Sequence, residues 1–210
     1  MNCSETCIAG KKTPDDWEKL RPRLQSGNDR NAWEEAFADF YLARLSLRYF
    51  DPIKLLQNHG TFQGEGFSIV AIQCSLVEFL ETTIQGSSYR YRRRNDPPLG
   101  LHEYSSSEDV FISFLTKRKP FLQDFDTASA TAFYKHVRCA LLHEARTKDG
   151  WTIWARSPNA KLIDTNTKIV FRDDLQTAFE KFLVVYRSDL LDDADLQAAF
   201  IRKFDSLCVG

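Results

Sequence analysis

A guanidinium and an imidazole stand five positions apart in the run Arg138-Cys139-Ala140-Leu141-Leu142-His143. The first is a permanent cation whose planar fork matches two phosphate oxygens, and the second exchanges a proton near neutral pH. Cleaving a phosphodiester without a metal needs a clamp for the charge that builds on the phosphate. It also needs a group to move protons at the attacking hydroxyl and the leaving oxygen. On a regular helix the two side chains lie about 140° apart around the axis. They border one groove through the length of arginine, or through a loosening of the helix after Leu142. A purely structural reading uses the same residues: Arg138 pairs with a carboxylate such as Glu144, and His143 caps the helix C-terminus, where a cation meets unpaired carbonyls.

A second run, Tyr89-Arg90-Tyr91-Arg92-Arg93-Arg94, interleaves aromatic faces with cations. That pattern suits single-stranded RNA, with bases stacking on the rings and phosphates meeting the guanidinium groups. It equally describes a solvated basic loop. His59, His102 and His136 have no partners at metal-ligand spacing, and Cys3 and Cys7 lack a second Cys or His pair. No metal site is therefore expected. Glu78 and Glu81 fall on an apolar helix and are expected along its solvated edge, with a place facing the cleft as the alternative. Walker loops, dinucleotide fingerprints and nucleophile elbows are missing from the sequence, and no cofactor is expected.

The elements that must position these residues read as helices. Trp33, Phe37, Phe40, Tyr41, Leu45 and Leu47 recur at helical spacing and predict a helix ending near Asp51-Pro52. Phe67 to Ile84 is apolar on most sides and should be the most buried helix. The Gly, Ser, Pro and Arg-rich stretch between Gln85 and Ser107 reads as a long mobile connection. Ser107 starts a helix that stops before Lys119-Pro120, and Thr127 precedes another. In that one Phe133, Val137, Ala140 and Leu141 form a core-facing stripe, and the helix ends before Lys148-Asp149-Gly150. Trp151 to Arg156 and Leu162 to Arg172 are β-prone and predict a small hairpin about Ser157-Pro158-Asn159. Helices over Asp173 to Leu190 and Asp193 to Leu207 close the chain. Gly10, Pro14, Pro22 and Gly27 interrupt residues 1–30, which read as a mobile N-terminal arm with room for one short helix near Trp17, before a single domain over 31–210.

Composition agrees with a packed protein. Of 210 residues 43% are hydrophobic, and 16 Phe and 4 Trp supply a core without disulfides. A formal net charge of -1 confines any nucleic-acid binding to a local patch. Five scattered cysteines do not form a secreted framework, and no stretch reads as a signal peptide or a membrane span. A cytoplasmic protein without membrane contact is expected.

An Arg, four residues and then a His near the end of a core helix resembles the signature of the HEPN superfamily. Phe133-Tyr134 ahead of the motif and the earlier helix around Ile69-Val70-Ala71-Ile72-Gln73 strengthen the likeness, which spans about residues 33 to 205. The resemblance implies a mainly α, HEPN-like helical bundle carrying the β-hairpin as an insertion before the last two helices. It further implies a metal-independent endoribonuclease whose site combines two Arg138/His143 motifs across a homodimer. Many similar proteins are toxins or defence effectors, so RNA, a second copy of the chain and a cognate antitoxin or regulatory protein are the implied partners. The alternative is a non-catalytic helical dimer that binds RNA or protein. Two positions depart from the family pattern: Cys139 replaces the usual polar residue after the arginine. Ala145 stands where members controlled by nucleotide modification carry a tyrosine.

Overall fold

The computed structural model describes residues 7–26, 29–61 and 63–209, so Cys3 lies outside the described residues. The protein is mainly α, as its periodicity predicts. Helix α1 (Pro14–Gln25) opens with a reciprocal cap: the Thr13 hydroxyl accepts from the Asp16 N–H, and the Asp16 carboxylate accepts from the Thr13 N–H. Where a loose arm was expected, Trp17, Leu20 and Leu24 are buried. Trp17 packs against Phe40, Phe200 and Phe204, and its indole N–H donates to Asp205 at 2.8 Å. One large aromatic ring with its polar edge satisfied anchors the segment against the chain's far end.

A helical run follows from Arg30 to His59. It comprises α2 (Arg30–Glu35), a wide π-helical segment (Ala36–Leu42), α3 (Ala43–Leu45), a second π segment (Ser46–Phe50) and α4 (Asp51–His59). The stop expected at Asp51-Pro52 does not occur. The second wide segment lies just where the ring of Pro52 would press on the carbonyl one turn back, so the helix passes the proline. Helix α5 (Glu65–Gln85) buries Ile69, Val70, Leu76, Val77 and Leu80 almost completely. Among the described residues it is the one helix long and apolar enough to cross a membrane, and just over half of its apolar window is buried inside the protein. Strands β1 (Ser88–Tyr89) and β2 (Glu103–Tyr104) pair in parallel and pin both ends of the connection that was expected to be mobile.

Helix α6 (Ser107–Lys117) is capped by Ser106, and a single 3-10 turn (Phe121–Gln123) leads on to α7 (Thr127–Phe133), capped by Asp126. A third π segment (Tyr134–Cys139) runs into α8 (Ala140–Glu144), which ends at Ala145 in the left-handed region, φ 53°. Next come β3 (Thr152–Trp154), β4 (Ile163–Asp164) and β5 (Ile169–Phe171), in the sheet order β3-β5-β4. The predicted hairpin is corrected here. The antiparallel pair is β4 with β5, turning at Asp164, whose carboxylate accepts from the N–H groups of Asn166 and Thr167. Strand β3 joins β5 in parallel instead. The long helix α9 (Arg172–Asp192) and α10 (Ala194–Cys208), capped by Asp193, complete the chain.

The chain divides into two compact units. The first holds the described residues of Met1–Pro52, Thr82–Ser105 and Tyr186–Gly210. Its core is aromatic: Trp17, Trp33, Phe40, Tyr41, Phe200 and Phe204, with Phe200 stacked on Phe204 at 4.6 Å. The second holds Ile53–Glu81 and Ser106–Val185. There Phe114 packs on Phe121, Phe179 and Phe182, while Phe133 lies among Phe111, Phe125 and Trp151.

Candidate functional site

Arg138 sits in the third π segment, in the second unit. Its side chain is 18% exposed, and its Nη2 lies 3.5 Å from the Oε2 of Glu78 on α5. The guanidinium also covers the ring of Tyr134, 5.2 Å from the ring centre. Glu78 in turn accepts from the Ser107 hydroxyl at 2.9 Å. The cation is therefore held on two sides, by a carboxylate one helix away and by an aromatic face four residues back, while part of it still reaches solvent. The purely structural reading offered Glu144 as an example of a pairing carboxylate, but that residue is engaged by Arg146 and Lys148, and Glu78 takes the place.

Of the two glutamates expected on a solvated edge, Glu78 keeps 20% of its side chain exposed beside Arg138, whereas Glu81 is buried. Glu81 has no exposed surface; Arg118 bonds both its oxygens, at 2.9 and 3.0 Å, and the Ser113 hydroxyl donates at 2.8 Å. The signal was present in the sequence, since a carboxylate flanked by Leu76, Val77, Phe79 and Leu80 must find a cation or a donor once the helix is buried.

His143 lies in the last turn of α8 and is exposed. Among the described residues no hydrogen bond or ion pair joins it to Arg138. The helix is wide before the motif histidine, over Tyr134–Cys139, and regular from Ala140 to Glu144, so the loosening lies upstream of Leu142. Cys139 is half-buried beside Tyr134. Burial pushes the Tyr134 hydroxyl up to about 12 although Arg138 pulls the other way, so at neutral pH it remains a protonated donor. Burial likewise pushes the Cys74 thiol up to about 12, which leaves it an unreactive packing group. His136 is half-buried, with Nε2 4.0 Å from Asp149, while His59 and His102 are exposed.

The basic run lies in the first unit. Tyr89 packs edge-on against Tyr104, 5.6 Å between ring centres, and Tyr91, Arg92, Arg93 and Arg94 are exposed. Arg90 differs from its neighbours. It donates to Glu103 at 2.6 Å and to the carbonyls of Pro97 and Pro98, so its guanidinium is used in closing the loop. The backbone of Arg93 donates to Asp96. Among the described residues no group of three or more His, Cys, Asp or Glu is placed to hold a metal ion.

No family model matches this chain, and no curated protein or solved structure is significantly similar to it.

Proposed function

We propose that the chain is a HEPN-type endoribonuclease that cleaves RNA without a metal, at a composite site made by Arg138 and His143 of two copies. One observation carries the reading: Arg138 is fixed by Glu78 and Tyr134 yet partly open to solvent, and the same helix presents an exposed His143. In the reaction one imidazole takes the proton of a ribose 2'-hydroxyl, whose oxygen attacks the adjacent phosphorus. The guanidinium groups hold the phosphate oxygens as negative charge accumulates. The second imidazole, protonated, gives its proton to the departing 5'-oxygen, leaving a 2',3'-cyclic phosphate and a free 5'-hydroxyl. Tyr89, Tyr91, Arg92, Arg93 and Arg94 are the residues of the basic run that remain open for RNA. A toxin or defence effector restrained by an antitoxin is the setting the resemblance suggests.

The Glu78–Arg138 ion pair favours a second reading. A cation with its own carboxylate is a packing element, and the same helices then serve a non-catalytic dimer that binds RNA or protein. Incubating the purified protein with structured and unstructured RNA in EDTA separates the two. Loss of the acid–base group in His143→Ala should slow cleavage by about 100-fold or more, and Arg138→Ala should do the same. Cleavage equal to that of the parent in both variants removes the two residues from the chemistry.

A further inference from the structure

A cavity of about 180 Å³ opens in the second unit where α5 and α9 begin beside β3. Glu65, Gly66, Phe67, Ile153 and Arg172 line it, and neither Arg138 nor His143 does. Sites for drug-sized ligands run to about 300–1,000 Å³, so this one suits a single ring system.

Its polar equipment is a carboxylate and a guanidinium side by side. Glu65 and Arg172 are each 8% exposed in their side chains, with Nη1 and Oε1 3.3 Å apart. Of the five N–H donors of Arg172, one makes that hydrogen bond, and Nε is buried without any, 3.6 Å from an Asp173 oxygen. Glu65 Oε2 accepts from the Gln63 N–H and the carboxylate also accepts from its own backbone N–H, so only part of its acceptor capacity remains for a ligand. Gly66 keeps the floor open: a Cβ there would stand 3.3 Å from Ile153 and 3.4 Å from Arg172 Nη1. Phe67, 41% exposed, offers a ring at the rim.

A bare anion meets Glu65 and a bare cation meets Arg172, so the pair selects a neutral group carrying donors and acceptors together. Guanine has two adjacent donors, N1–H and the N2 amino group, that match a carboxylate. It also has two adjacent acceptors, O6 and N7, that match a guanidinium. Adenine and cytosine offer one amino group each, and uracil a single ring N–H. We propose that this cavity binds a guanine base, with Glu65 accepting from N1 and N2, Arg172 donating to O6 and N7, and Phe67 stacking on the ring. The inference stands apart from the cleavage reading, since it requires binding alone.

Isothermal titration of the full chain with GMP, AMP, CMP, UMP and inorganic phosphate tests it. GMP should bind at least about tenfold tighter than the other nucleotides. Glu65→Gln should remove that preference. Gly66→Ala, which adds a good helix former while narrowing the floor, should weaken GMP by a similar factor with no fall in Tm. Three results overturn the proposal: no GMP binding at millimolar concentration, equal affinity for all four nucleotides or for phosphate, or GMP affinity unchanged in both variants.

Discussion

Glu81 lies in the middle of an apolar helix with none of its surface exposed, and what makes that tolerable is Arg118 on both oxygens with Ser113 beside them. A carboxylate stripped of its cation at such a position loses more than the pair gained, because the charge left behind can reach no water. Arg118 is itself 30% exposed and regains hydration when unpaired, which moderates the loss. Arg118→Ala should accordingly destabilise the protein by about 2 kcal/mol, read as a lower urea midpoint with unchanged slope. An unshifted midpoint would mean that the carboxylate's remaining partners hold it as well without the arginine. The same logic applies to Glu78 and Arg138, except that both keep about a fifth of their side chains in solvent. That residual exposure leaves the Glu78 carboxylate, with Arg138 beside it, open to a ligand in a way that Glu81, with no exposed surface, is not.

At the level of elements, the helix starts were the most readable signals, with Ser107, Thr127 and Asp193 marked by the sequence. Ser106, Asp126 and Asp193 each precede a helix and each accept from its first-turn N–H groups. Asp126 is held below its ordinary value of 3.8, first by the Ser129 N–H and then by the Ser129 hydroxyl. A carboxyl with a depressed folded pKa contributes stability at pH values above 3.8, and that contribution fades as pH falls through the folded value. Asp126→Ala should thus lower Tm at about pH 7 and differ little from the parent at about pH 2. A deficit of equal size at both pH values would show that the cap acts without its charge. The stripe of Phe133, Val137, Ala140 and Leu141 was legible too, and all four are buried. What stayed hidden was non-local or irregular. The parallel pairing of β3 with β5 depends on a partner 17 residues away, and helical periodicity assumes 3.6 residues per turn, which the wide segments break. The packing of α1 was masked by Pro14 and Pro22, although Thr13 and Asp16 spelled its cap. Within the candidate site Arg138 and His143 were nameable from their residue types together with the HEPN resemblance. Glu78, which holds the first of them, lies 60 residues upstream and is tied to it only by the fold.

For the molecule as a whole, a net charge of -1 leaves long-range attraction to nucleic acid weak, and the exposed arginines at 92–94 supply a local exception. The proposed composite site requires two motif helices, so on that proposal light scattering behind a sizing column should return twice the chain mass. A strict monomer at micromolar concentration would dispose of the shared cleft, whatever the RNA assay shows. The wide turn Tyr134–Cys139 bears on this as well. It widens the helix between Phe133 and Ala140, and residues on both sides of it are buried. The azimuth at which His143 leaves the helix is thereby tied to those of Ala140 and Leu141, which follow the wide turn. A single-codon deletion there would swing the imidazole and that half of the hydrophobic footing together, so the aim of the histidine cannot drift without disturbing the core.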